Sequence, residues 1–278
     1  MRLYLDHTFP MSIPALLTTC VLLIGSSAFA AAAATTPIDL GSAADFAILA
    51  GSTVTSTGVI GTVVTGDLGV YPGTAVTGFP PAVLNGVQQL ANGVSLAAQS
   101  DLTIAYNAAA GLAFNTTLSN VDLGGLTLTP GVYKFDAQAA LTGDLTLDAQ
   151  GDEKATWVFQ IGSETVPCAS PVISGMPNFI YWQVGSSAAI SKNANIMGNI
   201  LADQSISVKG KAAVMGRLLA RIAAVTLDDN VVTKTNSVNA TNNGDTFSDD
   251  DGNSDDNGGG SDTKLSDGAI AGIVIGAV

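Results

Sequence analysis

The 278-residue chain predicts a β-solenoid of short three-strand coils, dominated by β-structure, with one long helix laid alongside. Three observations lead there. A short motif recurs at the spacing of one coil, small residues dominate the composition, and a single Ala-rich stretch breaks the strand pattern. The recurrence is Met197-Gly198-Asn199-Ile200-Leu201-Ala202, met again eighteen residues later as Met215-Gly216-Arg217-Leu218-Leu219-Ala220. Ser205-Ile206-Ser207-Val208 returns as Ala224-Val225-Thr226-Leu227, one residue further out of phase. A looser echo joins Thr65-Gly66-Asp67-Leu68 to Thr142-Gly143-Asp144-Leu145. Each unit is a few residues of apolar/polar alternation closed by Gly, Asn or Asp, the pattern of a strand and a tight turn. Eighteen residues are too few for two helices and a turn, and suit one triangular coil whose Ile, Leu, Val and Met stack inward.

Composition agrees. Hydrophobic residues make up 47%, but aromatic residues only 6%, and 31 glycines accompany a charged fraction of 12%. The exception is Ala97 to Leu112. It lacks Pro and sets Ala98, Asp101, Leu102, Ala105, Ala108, Ala109 and Leu112 at helical spacing, giving a narrow face for close packing against the solenoid.

The two ends are expected to lie outside this domain. Residues 1–34 read as a secretory signal peptide: Arg2 is the basic start, Ile13 to Ile24 the apolar stretch, and Ala28-Phe29-Ala30 the small-residue cleavage site. The solenoid is assigned to 35–235. Residues 236–267, with Ser248-Asp249-Asp250-Asp251, are too polar to offset the entropy of ordering and read as an acidic, disordered linker. Asp249, Asp251 and Asn253 alternate as in a calcium loop, but Gly252 is misplaced for an EF-hand. Residues 268–278 turn wholly apolar. Eleven residues fall short of the roughly 20 a membrane helix needs, so a truncated membrane helix, a lipid-anchor signal and a frayed end are all open.

Several chemistries are excluded. His7 is the only histidine and lies in the leader, so the mature chain has no Ser-His or Cys-His pair and no histidine-ligated metal. Loss of Cys20 leaves Cys168 alone, without an internal disulfide partner. Ten basic against 23 acidic residues give a formal charge of −13, which disfavours nucleic acid and anionic membrane surfaces. No cofactor is expected.

Longer segments carry a more specific signal. Leu40 to Ala50 (LGSAADFAILA), Val64 to Gly73 (VTGDLGVYPG), Thr77-Gly78-Phe79-Pro80-Pro81 and Leu123 to Tyr133 (LGGLTLTPGVY) form one series. Trp157 to Gly162 (WVFQIG), Trp182 to Ser187 (WQVGSS) and the stretch from Gly198 to Asn230 complete it. Together they resemble the family of ice-binding proteins built as a discontinuous right-handed β-helix with one packed helix, over essentially all of 38–235. The resemblance implies that the partner is the ice surface, held by a flat outer face of small hydroxyl side chains, often Thr-Ala/Gly-x-Thr/Asn. With the expected signal peptide, the domain is expected to be extracellular, and it is expected to be monomeric.

Candidates for that face are Thr53, Thr55, Thr62, Thr65, Thr74 and Thr77. Thr74-Ala75-Val76-Thr77 matches the pattern, Thr62-Val63-Val64-Thr65 has its ends, and Thr53 and Thr55 alternate on one strand face. Approximate alignment sets Lys192, Ala213 and Met215 where ice-active members carry small polar residues, with Lys209 and Lys211 beside them. That departure leaves a second reading open, a structural or adhesive surface module that kept the scaffold without the ligand. A carbohydrate-cleaving β-helix would need paired carboxylates; Asp67 and Asp144 are the recurring ones, and both follow Gly in turns where Asp caps backbone amides. Asn115 and Asn239 open Asn-x-Thr sequons and are candidate glycosylation sites.

Overall fold

The structure, a computed structural model, describes residues 36–163, 172–174 and 179–235. The segments expected to be a signal peptide (1–34), a linker (236–267) and an apolar end (268–278), with Cys168 and Asn239, lie outside the described residues. After a 3-10 turn over Gly41–Asp45, the first strands are β1 (Phe46–Ala50), β2 (Thr53–Thr57), β3 (Val63–Thr65), β4 (Asp67–Val70), β5 (Ala75–Thr77), β6 (Val83–Asn85) and β7 (Gln88–Leu90). Helix α1 (Gly93–Gly111) follows. The chain then forms β8 (Thr116–Thr117), β9 (Thr127–Leu128), β10 (Gly131–Phe135), β11 (Thr146–Asp148), β12 (Trp157–Ile161), β13 (Val172–Ser174) and β14 (Ile180–Val184). It ends with β15 (Ala188–Ile190), β16 (Asn195–Ala202), β17 (Ile206–Val208), β18 (Ala213–Ala220), β19 (Val225–Asp228) and β20 (Val231–Thr233).

Every strand pairing among the described residues is parallel, and the order of the strands explains the fold. Two coils leave β1 in one direction through β4 to β7. Helix α1 carries the chain back, and β8, β10, β12, β14, β16 and β18 then climb until β18 docks on the other side of β1. The β-helix is therefore discontinuous: its middle seam joins the first coil to the last, at β1–β18, β2–β19 and β3–β20. The eighteen-residue echo is the exact register of β16 against β18, with Met197 opposite Met215 and Leu201 opposite Leu219. The extra residue before the second echo sits in the turn at Ile222, which points outward and leaves the Ile206–Val225 pairing intact.

Alternation on β10, β12 and β14 feeds two cores. Inward, Tyr133, Phe159 and Trp182 stack in successive coils, with ring centroids 5.7 and 4.1 Å apart. Ile200, Leu218, Ile48 and Leu68 continue that inward column. Outward, Val132, Val158, Tyr181, Leu201, Leu219 and Leu49 form a second cluster with Ala98, Leu102, Ala105 and Ala109 of α1. Small alanines let the helix backbone approach the sheet, as the sequence predicted. The helix starts earlier than Ala97 because Asn92 and Ser95 form a reciprocal capping box. Asp101, on its flank, accepts hydrogen bonds from Ser42 N (2.8 Å) and Ser42 Oγ (2.5 Å) and ties the helix to the 3-10 turn.

Arg217 closes the seam. Its guanidinium is buried at 1% exposure, with Nε donating to Ala44 O, Nη1 to Asn199 Oδ1 and Nη2 to Thr235 O. These acceptors come from the chain before β1, from β16 and from the residues after β20. Nearby, buried Tyr181 donates its hydroxyl to Ile38 O, and burial pushes its pKa up to about 12.

Candidate functional site

The five-stranded sheet β15–β17–β19–β2–β5 carries three of the six Thr candidates, and its pairing runs without a register shift. Inward residues are Ile190, Ile206, Val208, Val225, Leu227 and Val54, all buried. The outward residue of each central position is small. Ala189 pairs with Ser207, Ser207 with Thr226, Thr226 with Thr55, and Thr55 with Thr77. One column thus crosses all five strands, with a rung about every 4.8 Å.

A second column runs beside it, two residues back. Thr53 pairs with Ala75, and the same register leads through Ala224 to Ser205 and Ser187. Hydroxyls within the columns hydrogen bond to one another: Thr77 Oγ1 donates to Thr55 Oγ1 at 3.2 Å, and Ser187 and Ser205 Oγ atoms are 2.9 Å apart. Neighbouring strands hold each other's hydroxyls in place, and a continuous parallel stack suppresses the twist that would tilt successive rungs. Charged groups sit at the margins. Asp228 ends β19, and the ion pair between Arg221 Nη1 and Asp203 Oδ1, at 2.5 Å, lies in the turns before β19 and β17.

The sequence candidates divide. Thr53, Thr55 and Thr77 are brought together on this sheet, and Thr74 is exposed immediately before β5. Thr65 is exposed on a different face, made of β6, β3, β20 and the first halves of β18 and β16. Thr62 is fully buried, where its Oγ1 accepts from Ser56 Oγ at 3.0 Å and Asn230 N at 3.1 Å, so it presents nothing to a surface ligand.

The suspected departures also move. Ala213 and Met215 pair with Val231 and Thr233 on the Thr65 face, while Lys192, Lys209 and Lys211 are exposed in the turns after β15 and β17. None occupies a rung of the hydroxyl columns. The positions there in the C-terminal coils are Ala189, Ser207 and Thr226, all small. Sequence reasoning missed Ser187, Ser205, Ser207 and Thr226. The available signal was the second echo, whose outward residues include Ser205, Ser207 and Thr226; it does not reach Ser187.

The Thr65 face is chemically distinct. Val63, Val83, Val231 and Met215 are 37, 49, 50 and 43% exposed and make it more apolar.

Of the remaining candidates, Asp67 Oδ1 accepts from Val87 N at 2.9 Å, a turn-capping contact. Asp67 lies in β4 and Asp144 just before β11, in well-separated coils, so the two are not paired as an acid–base couple would require. Asn115 is exposed, with its Oδ1 accepting from Val132 N at 2.8 Å. Among the described residues no group of three or more His, Cys, Asp or Glu is placed to hold a metal ion.

A profile of the family described as Ice-binding-like matches residues 48–233. An ice-binding protein of Nostoc sp. (strain HG1) is 47% identical over 199 residues, covering 70% of this chain and 73% of that one. Ice-binding protein 1 of Shewanella frigidimarina (strain NCIMB 400) is 36% identical over 71% of this chain, which spans 26% of that longer protein. Among solved structures, an ice binding protein from an Antarctic biological consortium superposes with a TM-score of 0.69. It is 44% identical, over 72% of this chain and 91% of that chain. The chain belongs to the ice-binding-like family.

Proposed function

We propose that this protein binds ice outside the cell, through the outward columns of the β15–β17–β19–β2–β5 sheet, with Thr53, Thr55, Thr77, Ser207 and Thr226 at its centre and Thr74 at its edge. The observation that carries this reading is the unshifted register that sets Ala189, Ser207, Thr226, Thr55 and Thr77 in one row. Each Thr offers a methyl group and a hydroxyl at a fixed spacing. A rigid array can hold many waters in one lattice arrangement at little further cost in conformational entropy, so individually weak contacts add. Long charged side chains would keep their own hydration shells, and their place at the margins favours the same reading. The family relationship points to ice as the ligand.

No reaction and no cofactor enter this proposal, and the domain acts as a monomer. Secretion is part of it, supported by Arg2, the apolar stretch Ile13 to Ile24 and Ala28-Phe29-Ala30. Residues 236–267 then serve as an acidic spacer, and the apolar stretch 268–278 as a tether to the cell surface.

Partition into slowly growing ice tests the function itself. The full chain should be enriched in the ice fraction over an inert protein of similar size. Exclusion into the liquid, with the protein shown to be folded, would leave a non-ice surface module as the better description.

A further inference from the structure

The helix face of the β-helix changes character where α1 ends. One outward column there reads Leu49, Leu219 and Leu201 beneath the helix, then Gln183, Gln160 and Lys134 in the following coils. The three polar rungs line a crevice of about 300 Å³, completed by Ala110 at the helix C-terminus, Asp136, Gly162 and Gly185. That volume is at the small end of ligand pockets.

Part of this polarity is structural. Gln160 Nε2 caps the helix by donating to Ala109 O and Leu112 O, each at 2.8 Å. Tyr106 on the helix donates its hydroxyl to Val184 O at 3.3 Å, next to Gln183. Asp136 Oδ2 accepts from Ser119 Oγ at 3.0 Å. Gln160 is 8% exposed, its amide nitrogen is committed to the helix carbonyls, and its Oε1 has no partner among the described residues. Gln160 lines the crevice, so this acceptor is open to a donor from outside.

The rest of the lining defines that donor. Lys134 Nζ and Asp136 Oδ1 form an ion pair at 3.5 Å, so the rim offers a donor and an acceptor with no net charge. A charged ligand would meet its like charge as closely as its opposite. Lys134 Nζ also lies 4.9 Å from the ring centroid of Phe114, a phenyl group left 48% exposed beside the crevice. Open amide acceptor, balanced charge pair and exposed aromatic ring together match a neutral molecule with several hydroxyls and one apolar face.

We propose that this crevice binds one pyranose ring of a neutral glycan, with hydroxyls on Gln160 Oε1, Lys134 and Asp136 and its C–H face toward Phe114. It lies on the helix side of the β-helix, on a different sheet from the hydroxyl columns, and does not depend on ice binding. Such a site would let an extracellular protein attach to polysaccharide while its other face stays free.

The test is a titration of the ¹⁵N-labelled full chain, made in bacteria so that no glycan of its own competes, with cellobiose, maltose, chitobiose and glucuronic acid. At least one neutral disaccharide should give saturable shifts at the Gln160 side-chain amide and at Gly162 and Gly185. Phe114→Ala and Asp136→Asn, both at exposed positions, should each weaken that binding by about tenfold, the scale of one lost contact of this kind. The proposal is overturned if no neutral sugar gives saturable shifts, if the shifts cluster elsewhere, if either variant binds as the parent does, or if glucuronic acid binds best.

Discussion

Thr226 and Thr65 are the same residue type on strands of one solenoid, and only the face they occupy separates them. Thr226 is the middle rung of a row of small side chains, while Thr65 pairs with Thr233 and Asn85 beside exposed valines. Local sequence around a single Thr does not distinguish them, because Thr suits any solvated strand. Asp101 is a clearer case at this scale. The two hydrogen bonds from Ser42 hold its carboxyl below its ordinary pKa of 3.8. A depressed folded pKa means that the stabilisation is complete above the unfolded value and lost as pH falls through the folded one. Thermal unfolding should therefore show a Tm that is flat from neutral pH to about pH 5 and falls below it. In Asp101→Asn the neutral-pH Tm should drop and the acid slope flatten; an unchanged slope would remove Asp101 from that role. Asp101 was legible as a helix-face residue, but its partner Ser42 was not, since nothing local links residues so far apart in sequence.

At the scale of elements, the corner between the two halves of β16 and β18 is the most demanding feature. Gly198 and Gly216 stack there at φ of 107° and 149°, and a Cβ on Gly216 would lie 1.9 Å from Gly198 O. Gly216→Ala combines backbone strain with a backbone clash and should destabilise by more than about 3 kcal/mol in denaturant unfolding. A cost under about 1 kcal/mol would mean the corner relaxes easily. This corner was legible, because Met-Gly recurs at the coil spacing. The helix was legible for the same reason, its Ala spacing surviving any error at the ends. The composition of the hydroxyl columns was not. Thr226 meets Thr55 only because α1 returns the chain past its own beginning, and the echo alone does not say which end of the last coil meets the first. Approximate alignment set Ala213 and Met215 as departures at ice-face positions, and the register places them on the Thr65 face instead.

At the scale of the molecule, stability depends on a seam between strands distant in the chain. β1, β2 and β3 meet β18, β19 and β20, and fully buried Arg217 binds backbone from both sides of that junction. Arg217→Met keeps much of the side-chain volume but leaves Ala44 O, Thr235 O and Asn199 without this donor. The expected loss is about 3 kcal/mol, with a fall in Tm on the order of 10 °C for a domain of this size. A variant with the parent's Tm would show that the seam is held by packing alone. The same seam joins the columns proposed to face ice, so the row from Ala189 to Thr77 exists only when both ends of the domain are in place.

The most direct measurement is ice-plane affinity on a single ice crystal, comparing the fluorescently labelled full chain with Thr226→Tyr and Thr65→Tyr. Both variants place a bulky ring at an outward strand position and should fold as the parent does. The parent and Thr65→Tyr should label the same crystal planes, and Thr226→Tyr should lose most of that labelling. Loss in Thr65→Tyr with retention in Thr226→Tyr would contradict the assignment and move the ice contact to the valine-rich face.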